Sequence, residues 1–210
     1  MIKKLIGFTL AELMLVIGII GVVSILAMAA MRTDVNEQKT VTQLRKVAVT
    51  LQDSYAAGVE KYGIPHSWVT SSTTAEDASS LFASRLSEFL NTSSVTGNTI
   101  ILKDGTWISC NISDGSTIIS NLYDYDHALY PHYVGLLRVD LNGESVPPNT
   151  MEVDRFYFVV SKNGIEPAGL SLDSGVMHTY DTTAWVIKTG NMDYLKCQSE
   201  LDWNTKRTCN

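Results

Sequence analysis

Residues 7–21 read GFTLAELMLVIGIIG, and this stretch opens an apolar run with one carboxylate, Glu12, near its start. From Leu13 to Met31 the chain has nineteen residues without a charge or a proline. As a helix with a rise of about 1.5 Å per residue, the run is about 28 Å long, close to the ~30 Å hydrocarbon layer of a bilayer. The sequence therefore predicts a transmembrane helix.

The position of Glu12 needs an explanation, because a charge inside a spanning helix costs on the order of 2.5–3.5 kcal/mol. Lys3 and Lys4 precede the run and predict a cytoplasmic N-terminus, and Arg32 is the first charge beyond it. One interpretation places Glu12 at the bilayer interface, where it favours the positive end of the helix dipole. The other gives the carboxylate a cationic partner.

A short basic leader that ends in glycine, MIKKLIG, is followed by FTLAELMLVIGIIGVVSILA. Residues 1 to about 31 resemble the class III signal of type IV pilins, pseudopilins and related filament subunits. The resemblance implies that prepilin peptidase cuts after Gly7 and that Phe8 becomes the methylated N-terminus. It also implies that Glu12 pairs with the N-terminal amine of an adjacent subunit, so that no lone carboxylate is left buried.

The function that this resemblance implies is that of a structural subunit, a minor pilin or pseudopilin, in a type IV pilus or a type II secretion pseudopilus. Its partners would be prepilin peptidase, other pilin or pseudopilin subunits and an inner-membrane assembly platform. The chain would cross the bacterial inner membrane once and then enter a cell-surface pilus or periplasmic pseudopilus. No enzymatic activity and no cofactor are expected.

Three alternatives stay open. An ordinary secretory signal would be cleaved near the small residues Ala27 to Ala30 and would discard the apolar run. A membrane-anchored extracellular binding protein or adhesin would keep the run without assembling. An anchored hydrolase would need a catalytic pair, which the sequence does not suggest.

The charge balance argues against a nucleic-acid partner. The 210 residues include 16 Lys and Arg against 22 Asp and Glu, a net charge of −6, and loss of Lys3 and Lys4 would make the chain more acidic. A basic surface for phosphates is therefore not expected. The domain organisation that follows is a leader at 1–7, a transmembrane or filament-core helix at 8–31 and a pilin-like globular domain at 32–210.

Helical periodicity continues beyond the apolar run. Apolar residues at steps of three and four form one stripe, and Gly63 and Pro65 end the pattern; the stripe consists of Val41, Leu44, Ala48, Leu51, Tyr55, Val59 and Tyr62. One helix from Phe8 to Tyr62 is predicted. A second helix is expected at about Ala75 to Asn91, where Thr73 and Glu76 match a capping box.

Strand periodicity begins at Thr99. Two Asp-Gly turn signals, at 104–105 and 114–115, separate β-branched runs and predict a three-stranded meander. YVGLLRVDLNG and DRFYFVVSKNG supply two more strands, whereas TAWVIKTGNMDYLKC fits either a helix or a strand. The predicted fold class is α+β and pilin-like, with an antiparallel sheet of four or five strands packed against the amphipathic half of the long helix.

Two further sites are suggested. A disulfide between Cys197 and Cys209 would close a short loop, and pilin-like proteins often link their C-terminal region in this way; Cys110 fits a strand as a small buried residue. Some pseudopilins bind calcium in a β-region loop, and oxygen side chains surround a comparable loop here. Capping of Asx turns explains the same residues equally well; they are Asp140, Asn142, Asn149 and Asp154.

Signals for an enzyme are weak. The histidines lack the spacing of metal ligands, and neither a glycine-rich phosphate loop nor a Gly-x-Ser-x-Gly nucleophile elbow is present.

Overall fold

The computed structural model describes residues 9–122, 132–169 and 182–209, and the side chains of residues 25–35 are not described. The chain divides into two compact units, Met1–Lys39 and Thr40–Asn210. The first helix, α1, runs from Leu10 to Tyr62.

In the first unit, the side chains of α1 from Leu10 to Val23 are all apolar except that of Glu12, and all are exposed. Leu10 keeps 77% of its surface accessible, and every large apolar side chain from Leu13 to Val23 is exposed.

The predicted transmembrane helix is wrong. Among the described residues, no helix is both long and apolar enough to cross a membrane. The same finding overturns the fold class, which included that helix, and the single-pass location in the inner membrane.

In the second unit, the apolar stripe of α1 is part of the core. Val41, Leu44, Leu51 and Tyr55 are buried. The Tyr55 hydroxyl also donates hydrogen bonds to the carbonyl oxygens of residues 161 and 162, at 2.8 and 3.0 Å. The helix ends at Tyr62, and Gly63 follows with a φ of 80°, a left-handed conformation that glycine adopts without strain.

Helix α2 spans Ala75–Ser87, and the residue that caps it is Thr74. The Thr74 hydroxyl oxygen accepts a hydrogen bond from the backbone N–H of Asp77 at 3.1 Å. The predicted capping box, Thr73 with Glu76, is therefore one residue too early, and the helix ends before the expected Asn91.

Six antiparallel strands form one sheet in the order β1-β2-β3-β4-β5-β6. The strands are Thr92–Thr96, Thr99–Leu102, Trp107–Ile112, Tyr133–Asp140, Arg155–Ser161 and Gly164–Pro167. Cys110 faces Leu137, which in turn faces Phe158, and all three are fully buried. This row lies on the buried face of the sheet. The sequence predicted neither β1 nor β6, and the third strand of the predicted meander is a helix.

The second Asp-Gly signal starts a helix instead of a turn between strands. The carboxylate of Asp114 accepts a hydrogen bond from the backbone N–H of Thr117 at 3.0 Å and caps α3, Gly115–Asn121. A side chain at Gly115 would meet the carbonyl oxygen of Thr70 at 1.9 Å. Close packing of two backbones therefore explains this glycine.

The C-terminal segment resolves the ambiguity between helix and strand. It forms two helices, α4 at Thr182–Thr189 and α5 at Tyr194–Cys197. Trp185 of α4 and Trp203 are buried, with ring centroids 4.7 Å apart. This aromatic pair joins the end of the chain to the core.

Candidate functional site

The assembly site expected at the N-terminus is partly described. Gly7 and Phe8, the predicted cleavage and methylation positions, lie outside the described residues. Glu12 lies in the first turn of α1, and its Oε2 accepts hydrogen bonds from the backbone N–H of Thr9 at 2.9 Å and from the Thr9 hydroxyl at 2.8 Å. The backbone N–H of Glu12 donates to the Thr9 hydroxyl oxygen at 3.3 Å. These reciprocal bonds form a capping box.

The capping box also favours the ionised form of Glu12. The hydrogen bonds from Thr9 hold the pKa of this exposed carboxyl below its usual range. Glu12 is therefore ionised at neutral pH, and Thr9 is its only partner among the described residues. The sequence contains the signal for this capping box, because Thr9 and Glu12 have the required spacing. The sequence-based interpretation considered only a cationic partner for Glu12 and did not predict the capping box.

An apolar groove lies beside Glu12 along α1. It measures about 470 Å³ and is centred on Gly18, where a side chain would meet no other atom within 4 Å. Its walls are Met14, Leu15, Ile19, Val22 and Val23. The large apolar side chains that are exposed here are typical of a contact surface.

In the second unit, the loop after β4 contains the residues suggested for calcium. Asp140 is fully buried, and its Oδ2 accepts a hydrogen bond from Arg155 Nε at 2.8 Å. Its Oδ1 accepts from the backbone N–H of Asn142 at 3.3 Å and of Gly143 at 3.0 Å. Asp154 accepts from the backbone N–H groups of residues 149 and 150, at 2.8 and 2.7 Å. Both carboxylates therefore cap the loop.

The two amides of this set also hold the loop. Asn142 Nδ2 donates to the carbonyl oxygen of Pro147 at 3.3 Å, and Asn149 Nδ2 donates to that of Glu144 at 2.7 Å. The Oδ1 atoms of both asparagines are buried without a hydrogen-bond partner. The described residues contain no cluster of three or more acidic, histidine or cysteine side chains that could hold a metal ion. Calcium binding by the mixed Asp and Asn set stays a prediction.

The cysteines fall into two environments. Cys197 and Cys209 form a disulfide across a separation of 12 residues. Asp193 also stabilises the loop that the disulfide closes, because its Oδ2 accepts a hydrogen bond from the backbone N–H of Cys209 at 2.8 Å. Cys110 is free and buried, and burial raises the pKa of its thiol to about 12. A thiol with that pKa is not a nucleophile at neutral pH.

One polar cleft lies between α2 and the sheet. It measures about 570 Å³, and its side chains include Glu76, Ser80, Asn98 and Asn111. Glu76 is the only ionisable group of this lining, so the cleft does not contain a pair of groups for acid–base chemistry.

A cluster of two aromatic rings and one arginine, which the sequence did not predict, lies where α1 and α2 end. The guanidinium of Arg85 lies 4.7 Å from the ring centroid of Tyr62 and 4.8 Å from that of Trp68. The three residues come from α1, the following loop and α2, so no local pattern connects them. Only the folded arrangement brings them together.

No family model, curated protein or solved structure matches this chain. The pilin assignment made from residues 1 to about 31 thus gains no support from relatives, and it enters below as a proposal.

Proposed function

We propose that this chain is a structural subunit of a filament of the type IV pilus or type II secretion class, a minor pilin or pseudopilin. In this proposal prepilin peptidase cuts after Gly7, and the mature chain assembles with other subunits through the start of α1. The activity of the protein is association.

The observation that carries the proposal is the exposed apolar surface at the start of α1. Ten large apolar side chains between Leu10 and Val23 are exposed, and the groove at Gly18 gives a second helix room to approach closely. Burial contributes about 25 cal/mol per Å² of apolar surface, so a surface of this kind favours coverage by another apolar helix.

Glu12 adds direction to this association. Its carboxylate is ionised and fixed by Thr9, but Thr9 bonds only to Oε2, which leaves Oε1 for an external donor. Cleavage after Gly7 would create an amine at Phe8, and the amine of an adjacent subunit would pair with Glu12. One capped carboxylate in each apolar surface would thus set the register between subunits.

Processing is the first experiment. The chain is co-expressed with a prepilin peptidase, and the mature N-terminus is identified by mass spectrometry. The proposal expects a chain that begins at Phe8, with a methyl group on its amine. The variant Gly7→Val is the control, because a bulky side chain at the cleavage position should leave the leader attached. A wild-type chain that keeps residues 1–7, or that begins beyond Ala30, would contradict the proposal.

A further inference from the structure

We call the cluster of Tyr62, Trp68 and Arg85 the arginine clamp. Hydrogen bonds and packing contacts hold its two rings. The Tyr62 hydroxyl donates to Glu88 Oε1 at 2.5 Å, and Trp68 Nε1 donates to the carbonyl oxygen of Gly63 at 2.9 Å. Trp68 also packs on the buried ring of Phe82, with centroids 5.6 Å apart. Two fixed rings therefore hold the guanidinium in one place.

Arg85 keeps its hydrogen-bonding capacity. Within the described residues its N–H groups have no acceptor, and its contacts are with the faces of the two rings. A guanidinium has five N–H donors in a planar fork that matches a carboxylate. A stacked arginine can present the edge of this fork outward while its face stays on the rings.

The carboxylate of Glu88, which the charge of Arg85 affects, already has two partners. Its Oε1 accepts from Tyr62, and its Oε2 forms an ion pair with Lys61. The bonds from Lys61 and Tyr62, with a smaller attraction from the charge of Arg85, lower the pKa of the Glu88 carboxyl. Glu88 therefore fixes the clamp without satisfying the guanidinium.

We propose that the arginine clamp binds a carboxylate on a second copy of this chain. The inference rests on the proposed function, which places copies side by side. Charge complementarity identifies the occupant, because the clamp carries a positive charge in a chain with a net charge of −6. Five exposed carboxylates have no cationic partner among the described residues, and two of them, Glu12 and Asp77, are hydrogen-bonded to Thr9 and Thr74. The other three would be available to another copy; they are Asp53, Glu60 and Glu76.

Cross-linking in cells identifies the occupant. A photoreactive benzoylphenylalanine replaces Ser84, an exposed residue next to Arg85. We expect a cross-linked product with twice the mass of the chain, joined at a peptide that contains Asp or Glu. Cross-links only to a different protein, to lipid or to nothing would overturn the inference.

Substitutions of Arg85 then test the chemistry. In the Ser84 background, Arg85→Gln should lower the yield of cross-linked dimer about tenfold, since a charge-assisted bidentate pair is lost. Arg85→Lys should give an intermediate yield, because it keeps the charge and loses the fork. Arg45→Gln is the matched control: Arg45 is an exposed arginine whose Nε and Nη2 already donate to the carbonyl oxygen of Ile187 at 3.0 and 2.8 Å. Its dimer yield should match that of wild type.

The outcomes separate this inference from the proposed function. An unchanged dimer yield in Arg85→Gln, with a thermal midpoint like that of wild type, overturns the clamp even if the chain begins at Phe8 and enters filaments. Loss of the dimer in Arg85→Gln but not in Arg45→Gln supports the clamp, even if residues 1–7 are retained and no filament forms.

Discussion

Replacement of Asp140 by alanine tests how the loop after β4 is held. The carboxylate is fully buried and bonds to Arg155 Nε at 2.8 Å, while 17% of the Arg155 side chain stays exposed. Removal of one partner from a buried ion pair costs about 3–5 kcal/mol, and partial exposure of Arg155 places this case near 3 kcal/mol. For a domain of this size that loss lowers the thermal midpoint by about 6–12 °C.

The assay is urea unfolding followed by the fluorescence of the buried pair Trp185 and Trp203. Asp140→Asn keeps an acceptor for the backbone N–H groups and should lose less than Asp140→Ala. Asp104→Ala is the control, because Asp104 is 36% exposed in its 3.0 Å ion pair with Lys46 and should lose at most about 1 kcal/mol.

The reasoning about this loop is refuted if Asp140→Ala and Asp104→Ala lose the same stability. A rise in the wild-type midpoint on addition of calcium, reversed by a chelator, would show that the loop oxygens bind an ion.

Three further predictions concern the second unit. The thiol of Cys110 should not react with DTNB at pH 8 in the folded chain and should react once the chain unfolds, since burial raises its pKa to about 12. Replacement of Cys197 and Cys209 by serine should cost about 3 kcal/mol in urea unfolding, because the disulfide restricts the unfolded chain. Hydrogen bonds from Ser116 and Thr117 lower the pKa of Asp114 from 3.8 to about 2, so its stabilisation is complete above pH 4 and is lost as the pH falls towards 2. Urea midpoints of wild type and Asp114→Asn between pH 5 and 2 should therefore converge at the acid end.

The elements with strong local patterns could be predicted from the sequence. The stripe from Val41 to Tyr55 has the period of a helix with one buried face, and it packs in the core. Asp104-Gly105 lies in the turn between β2 and β3, as its turn chemistry indicates. In each case the residues that form the pattern lie within a few positions of one another.

The same dipeptide failed at Asp114-Gly115, and the reason is tertiary. Gly115 is needed because the backbone of Thr70 lies against it, and the loop that contains Thr70 is distant in sequence. Strand β1 was missed for a different reason: four of its five residues are exposed, so its sequence has no alternating apolar pattern.

At the candidate site, the sequence located Glu12 but did not predict its local hydrogen bonds, which come from Thr9 three residues away. The membrane helix expected beyond Glu12 is not found among the described residues. The pairing of Glu12 with the amine of an adjacent subunit stays a prediction. The arginine clamp could not be predicted at all, because its rings and its guanidinium come from three separate segments.

In the proposed filament, the charge of Glu12 joins one subunit to the next. The most direct measurement of this role is the fraction of each variant recovered in filaments sheared from cells of the native host. Glu12→Gln keeps the capping box, since glutamine also serves at this position, but removes the charge. Thr9→Ala breaks the capping box and keeps the charge. We expect Glu12→Gln to lower incorporation at least tenfold, because the amine of the adjacent subunit would lose its anionic partner, and Thr9→Ala to assemble nearly as well as wild type. Incorporation of Glu12→Gln at the wild-type level would show that the charge of Glu12 does not direct assembly.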